Sequence, residues 1–123
     1  MMDEKLAKLS RSEDFATVRR RGTSWADQDI VLIVSPRVDG NTELSSRCGF
    51  VVSRRVGNAV LRNRCKRRMR ESAKSFTISN GHDIVFIARE NLSRATFSRI
   101  QDSMSALLLS AGLVVEKDFH EKN

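Results

Sequence analysis

The chain has 123 residues, of which 40% are hydrophobic and 30% are charged. That length and composition suffice for one domain with a hydrophobic core, and they exclude an intrinsically disordered protein. The net charge of +7 and a sequence pI near 10.2 predict an anionic partner, with nucleic acid the leading candidate, an anionic membrane surface the second and an acidic protein the third.

The first predicted element is a helix over residues 12–21. Ser10 or Ser12 can cap this helix, and Glu13 follows Ser10 by three residues, which is the spacing of a capping box. The arginines at 19–21 suit the negative end of the helix dipole, and Gly22 suits the position just after a helix. The stretch "SRSEDFATVRRRG" therefore predicts one short helix.

Two strands are predicted next. "DIVLIVS" at 29–35 is a continuous apolar run rich in β-branched residues, which indicates a buried strand. In "RCGFVVSRR" at 47–55, Cys48, Phe50 and Val52 point to one face and the residues between them to the other. A polar loop with the only proline of the chain joins the two runs, so we expect them to form an antiparallel pair.

A basic amphipathic helix is predicted over about residues 59–76, with Asn58 as its N-cap. At helical spacing its apolar side is formed by Leu61, Cys65, Met69, Ser72, Ala73 and Phe76. Its remaining surface is cationic and contains Arg62, Arg64, Lys66, Arg67, Arg68 and Arg70.

Six cations in nine residues repel one another, and this repulsion destabilises an isolated helix. A partner outside the chain is expected to offset that cost. The N-terminus of a helix attracts phosphate, and arginine pairs with phosphate in a fork-like geometry. A solvated charged face is the simpler interpretation, but these features favour contact with nucleic acid.

Two further elements complete the predicted order. "GHDIVFIARE" at 81–90 is an apolar run of strand length. From Phe97 to Ala111, apolar residues recur every three or four positions, as in a helix that packs on a core, and Gly112 follows. Residues 113–123 are expected to add a short strand or turn and then a frayed tail.

The predicted order is helix, strand, strand, helix, strand, helix. This order predicts an α+β fold in which helices lie on a small sheet. The sequence has no internal repeat and no linker, so we expect a single domain over residues 1–123, with residues 1–9 and 117–123 flexible.

Residues that could carry catalysis are sparse. His82 and His120 show no metal-ligand spacing, and the sequence has no glycine-rich phosphate loop or nucleophile motif. We therefore expect no catalytic residue and no metal held by the protein. Cys48 and Cys65 are too few for a disulfide scaffold and are expected to be reduced, structural thiols.

The sequence carries no signal for export or membrane insertion. No apolar run approaches the ~18 residues that a membrane-spanning helix requires, and "MMDEKLAKLS" lacks the apolar stretch of a secretory signal. A helix on a membrane surface would need bulkier apolar residues than Leu61, Cys65 and Met69. The sequence predicts a cytoplasmic protein with no membrane partner.

A longer pattern surrounds the basic helix. In "SRRVGNAVLRNRCKRRMRE" at 53–71, Ser and two basic residues lead to Gly-Asn-Ala-Val, then Arg-Asn-Arg, Lys-Arg and Arg-Glu. This pattern resembles the signature of the bacterial ribonuclease P protein component. "EDFATVRRRG" before it and "HDIVFIAR" after it are also similar to that family, so the resemblance covers residues 9–112.

The resemblance implies a fold and an activity. The fold would be like the second domain of a small-subunit ribosomal protein: a small mixed sheet packed with helices, with the basic helix in a left-handed β-α-β crossover, contrary to the usual right-handed rule. The protein would be a subunit of an RNA-based endoribonuclease. It would bind the catalytic RNA and the single-stranded 5′ leader of precursor tRNA, and promote removal of the leader.

The resemblance also implies where the chemistry lies. Mg²⁺ ions would be held mainly by the RNA, and the protein alone would be inactive. No obligate protein partner is expected. A ribosomal-type or other structured-RNA-binding protein without a role in cleavage is the alternative, which would share the basic helix but need not share "GNAVLRNR".

The resemblance assigns residues to two surfaces. The leader-binding cleft would contain Phe15, Arg19 and Ile33, although Phe15 shares a helix face with Val18, so a core role is the alternative for its ring. The family often has aromatic residues at the positions of Arg19 and Ile33, and stacking is worth ~1–3 kcal/mol per base, so leader binding here is expected to depend more on charge. The RNA-binding surface would contain Arg54, Arg55, Gly57, Asn58, Arg62, Asn63, Arg64, Lys66, Arg67, Arg68 and Arg70.

Overall fold

The computed structural model describes residues 6–114 of the chain. Within that range a five-stranded sheet is packed with three α-helices, which confirms the α+β prediction. The strands are β1 (Ala7–Lys8), β2 (Thr23–Ala26), β3 (Ile30–Pro36), β4 (Arg47–Val52) and β5 (His82–Ala88). The helices are α1 (Ser12–Arg21), α2 (Ala59–Ala73) and α3 (Phe97–Ser110), and 3-10 turns at Arg54–Val56 and Glu90–Arg94 precede α2 and α3.

β5 occupies the centre of the sheet, whose strand order is β1-β4-β5-β3-β2. Phe86 of β5 lies opposite Phe50 of parallel β4 on one side and opposite Leu32 of antiparallel β3 on the other. The prediction that β3 and β4 pair directly is wrong. The loop between them is longer than the two-residue turns that fix a hairpin, so it can span the width of an intervening strand.

The parallel pair β4 and β5 is connected through α2. This is the β-α-β unit that the family resemblance implies, and its left-handed crossover stays a prediction. α2 ends at Ala73, three residues earlier than expected, although Phe76 still packs against the core. None of the helices within the described range is long and apolar enough to cross a bilayer.

The two faces of the sheet are covered unequally. α2 and α3 lie on one face and enclose the main core, whose fully buried side chains include Phe86, Met69 and Ile100. The other face is covered by α1, which buries Val18 against Val85. The second face therefore keeps a partly open stretch beside α1.

Two edge strands were not predicted. Residues 1–9 were expected to be flexible, but Ala7–Lys8 pair with β4, the Leu9 N–H donates to the Cys48 carbonyl at 2.9 Å, and the Leu9 side chain is buried. A two-residue strand has no periodicity to detect. β2 was missed because its residues carry no clear alternation. The predicted frayed tail, with His120, lies outside the described residues.

Two ion pairs with buried carboxylates stabilise the fold at separate places. Arg47 donates from Nε and Nη2 to the two carboxylate oxygens of fully buried Asp83, at 2.7 Å each, and these hydrogen bonds raise the pKa of Arg47. The Val38 N–H donates to the same carboxylate at 2.9 Å. Arg99 of α3 makes a second fork with buried Asp29, with both N···O distances 2.8 Å.

Candidate nucleic-acid interface

The start of α2 is built by Gly57 and Asn58. Asn58 Oδ1 accepts a hydrogen bond from the Leu61 N–H at 2.9 Å, which confirms it as the N-cap. Gly57 has φ +153°, and a Cβ there would lie 2.7 Å from Leu61 Cδ1. Both residues fix the direction in which α2 leaves the preceding 3-10 turn, and their contact with RNA stays a prediction.

Ser53 sets the geometry of the two arginines before that turn. The strand predicted over 47–55 ends at Val52, because the Ser53 hydroxyl accepts from the Arg55 N–H at 3.3 Å and starts the 3-10 turn. Arg54 and Arg55 are exposed on this turn. They therefore lie beside the N-terminus of α2, as the interface prediction requires.

α2 separates its apolar and cationic sides as predicted. Cys65, Met69, Ser72 and Ala73 are buried against the main core. On the outer side, Asn63, Arg67 and Arg70 are exposed, and Arg62, Arg64, Lys66 and Arg68 are half-buried. We call this outer side of α2, together with Arg54 and Arg55, the basic face.

Two arginines of the basic face also bind the protein itself. Arg62 Nη1 donates to the Gly57 carbonyl at 2.9 Å, and Arg68 Nη1 donates to the Ala95 carbonyl at 3.1 Å. The Arg68 contact was not predictable from the sequence, since Ala95 lies 27 residues beyond Arg68. A guanidinium has five N–H donors, so each retains donors for a phosphate.

Replacing Arg68 by Ala should lower both the stability of the protein and its affinity for RNA. The lost bond to Ala95 leaves a carbonyl without its partner, which predicts a loss of about 1–2 kcal/mol. Arg67→Ala is the matched control, because Arg67 is exposed and makes no hydrogen bond or ion pair within residues 6–114. It should lower RNA affinity at an unchanged melting temperature. An equal fall in melting temperature for the two variants would contradict a structural role for Arg68 that Arg67 does not share.

The basic face is largely uncompensated by acidic groups. Within α2 and its C-terminal cap, the structure describes one ion pair, between Lys74 and Glu71 at 3.3 Å. Other pairs in the described range engage Arg11, Arg37, Arg47 and Arg99, away from the basic face. The electrostatic conditions for binding a polyanion are therefore met along the outer side of α2.

A second candidate surface lies on the open side of the sheet beside α1. Phe15 and Ile33 belong to one apolar cluster, and Val51 and Ile87 extend it across β4 and β5. The role of Phe15 and Ile33 in leader binding stays a prediction. All four side chains are partly exposed. Arg19 is exposed on α1, one turn after Phe15. We call this surface, with Arg19 at its side, the α1 cleft.

Gly49 makes room for the aromatic ring of the α1 cleft. A Cβ at Gly49 would lie 2.4 Å from Phe15 Cζ, so only glycine lets the ring approach β4 this closely. The sequence pattern did not identify Val51 and Ile87 as neighbours of Phe15. They could have been assigned to this cleft only if β5 had been placed beside β4, since alternation defines the face of a residue but not its neighbours.

The described residues provide no group of three or more His, Cys, Asp or Glu side chains that could hold a metal ion. Cys48 and Cys65 are free and buried, as expected of structural thiols. His82 stands at the start of β5 and is half-buried. The chemistry available on both candidate surfaces is thus that of cationic and apolar contacts.

Comparisons with known proteins agree with one another. A family model described as Ribonuclease P matches residues 4–112. The ribonuclease P protein component of Alkaliphilus metalliredigens is 38% identical over 109 residues, which cover 87% of this chain and 95% of the relative. That of Caldanaerobacter subterraneus is 34% identical over 119 residues, covering 95% and 99% respectively.

Solved structures show the same similarity in three dimensions. The RNase P protein of Staphylococcus aureus superposes with a TM-score of 0.76 at 33% identity, covering 90% of this chain and 100% of that chain. The RNase P protein from Thermotoga maritima gives a TM-score of 0.72 at 32% identity, covering 82% and 94%.

Proposed function

The chain belongs to the bacterial ribonuclease P protein family, and on that premise we propose that its basic face binds the catalytic RNA while its α1 cleft binds the 5′ leader of precursor tRNA. It is the protein component of the endoribonuclease that matures the 5′ end of tRNA. The uncompensated charge of the basic face is the observation that carries the assignment of the RNA surface.

Binding of the RNA subunit would use the cationic side chains that α2 holds at fixed spacing. The N-cap by Asn58 and the buried side of α2 fix the helix, so that its arginines are presented without further ordering. Asn63, exposed among these arginines, is proposed to supply a polar contact that sets the register. Charge provides affinity and steering, while register requires such a directional contact.

Binding of the leader would use a different face of the sheet. A single strand needs a path with positive charge and apolar surfaces on which bases can stack. The α1 cleft offers Phe15 for stacking, the aliphatic Ile33, Val51 and Ile87 as a floor, and exposed Arg19 for a phosphate. The two RNA molecules would thus be held on opposite sides of one sheet.

The protein's contribution to cleavage would be binding and positioning. The described residues contain no cluster of acidic groups suited to Mg²⁺, and we propose that the RNA subunit holds these ions. Cations of the basic face would lower the repulsion between the RNA subunit and its RNA substrate. We propose the cytoplasm as its location.

Reconstitution tests the proposed function. The purified chain alone should not cleave precursor tRNA, and with a bacterial ribonuclease P RNA it should promote cleavage at the leader junction at low Mg²⁺. Correct cleavage by protein freed of RNA would overturn the assignment of catalysis to the RNA. Tight RNA binding without any stimulation of cleavage would favour a structured-RNA-binding protein with no role in processing.

Replacing Phe15 by Ala should weaken binding of precursor tRNA to the reconstituted enzyme by about 1–3 kcal/mol, the worth of one stacked base. Mature tRNA, which lacks the leader, should bind as before. Phe97→Ala is a suitable control, because Phe97 is also partly exposed but belongs to α3 on the opposite side of the sheet. Equal losses for both RNAs at an unchanged melting temperature would argue against the leader assignment.

A further inference from the structure

A pocket of about 200 Å³ lies between β1, β4 and the second half of α2, on the sheet face opposite the α1 cleft. Its interior is apolar and is formed largely by Leu6, Cys48, Phe50 and Ala73. Burial raises the pKa of the Cys48 thiol to about 12, so this side chain stays uncharged. Phe50 is held in place by Phe86, with ring centroids 5.8 Å apart and planes within 8°.

The rim of this pocket is cationic, with Lys8 on β1, Lys66 and Arg70 on α2 and Lys74 just after α2. Within residues 6–114, the one ion pair of these four side chains is that of Lys74 with Glu71, on an exposed surface. Lys66 and Arg70 are four residues apart, so both project from the same side of the helix. A ligand that carries negative charge at the rim would relieve their repulsion.

An apolar recess with a cationic rim suits a planar, uncharged ring that is joined to an anionic group. A nucleotide has this chemistry, because its base offers an apolar face and its phosphate offers the charge. A volume of about 200 Å³ leaves room for one ring system. The leader in the α1 cleft lies across the sheet, whereas the RNA subunit on the basic face adjoins the pocket through Lys66 and Arg70.

We infer that this pocket receives one unstacked nucleotide of the ribonuclease P RNA, with its base against Phe50 and Ala73 and its phosphate on Lys66 and Arg70. The inference rests on the proposed function, which names the RNA subunit as the partner of α2. A base taken out of its stack adds a contact that phosphate binding alone cannot provide.

A titration of the full chain with free nucleotides isolates the pocket from the rest of the interface. Adenosine 5′-monophosphate should shift the backbone amide NMR signals of Cys48, Phe50 and Ala73 and should bind about tenfold more tightly than ribose 5-phosphate, which has no base. Lys66→Gln should weaken this binding, while Arg67→Gln, an equal loss of charge on the outer side of α2, should not. Equal affinities for the two probes, shifts confined to the outer side of α2, or no saturable binding at millimolar concentrations would overturn the inference.

A second measurement uses the complete RNA subunit. Ala73→Met places a larger side chain in the pocket and reduces its free volume without changing any charge. It should therefore weaken RNA binding about tenfold and leave the salt dependence unchanged. Phe50→Leu, which removes the ring but keeps an apolar side chain, serves as the second variant if Ala73→Met lowers the melting temperature. If wild-type protein neither binds the RNA nor stimulates cleavage, the proposed function fails. If wild-type protein does both and these variants bind equally well, only the nucleotide pocket is disproved.

Discussion

Replacing Asp83 by Ala should lower the free energy of unfolding by about 3–5 kcal/mol, as expected when one partner of a buried ion pair is removed. The Asp83 side chain is fully buried and accepts both donors of the Arg47 fork, together with the Val38 N–H. Its loss would leave the Val38 N–H and the largely buried Arg47 guanidinium without their hydrogen-bond acceptor, since the other carboxylates near Arg47, those of Asp14 and Asp39, lie 3.9 Å away. The pair joins β4 to the central strand, so the effect should extend to the whole sheet.

Urea unfolding followed by circular dichroism measures this loss. Glu71→Ala is the control, since exposed Glu71 pairs with exposed Lys74 at 3.3 Å and its removal should cost much less. The double variant Asp83→Leu with Arg47→Met should recover stability relative to Asp83→Ala, because it replaces both charges by apolar groups. A loss for Asp83→Ala no larger than that for Glu71→Ala would refute the role given to the pair.

Affinity for the RNA subunit should fall about a thousandfold between roughly 50 and 200 mM salt if the basic face makes about six phosphate contacts. Each phosphate contact releases counterions, so the slope of log affinity against log salt counts them. Arg67→Ala should reduce the magnitude of that slope by about 1, which corresponds to the loss of one phosphate contact. Its exposure and lack of partners within the described residues mean that the fold should be unaffected.

Arg11→Ala is the matched control for this slope. Arg11 is an exposed cation just before α1, distant in sequence from α2, and it pairs with Glu13. Its loss changes the net charge of the protein by the same amount as the loss of Arg67. If both variants changed the slope equally, the salt dependence would report total charge and not contacts of the basic face.

The helices were predictable because their signals are local. α1 spans Ser12–Arg21 as predicted, with acidic residues in its first turn and arginines in its last. The predicted capping box is wrong, because the N-cap is Arg11 and no side chain caps the first turn. The N-cap of α2 and its buried side follow from helical spacing in the same way. The position of β5 was not predictable, because an apolar run shows that a strand is buried on both faces and does not identify its neighbours.

The two candidate surfaces differ in how far the sequence led to them. The basic face was evident from charge density alone, although the internal role of Arg68 depends on Ala95, far along the chain. Phe15 and Ile33 were assigned through family resemblance, and the structure brings them into one cluster with residues that resemblance had not named. The nucleotide pocket was not foreseen, since it depends on β1, a strand too short to show a pattern.

The central place of β5 has a consequence for biosynthesis. β5 is the last of the described strands to emerge from a translating ribosome. β3 and β4 do not pair with each other, and each pairs with β5 between them. Until it emerges, the nascent chain can form only the β2–β3 hairpin and the short β1–β4 pair. Pairings between distant segments slow folding, and helices such as α2 derive most of their stability from packing. A nascent chain that has exposed residues 59–73 but not 82–88 would therefore carry the cations without the ordered surface that presents them.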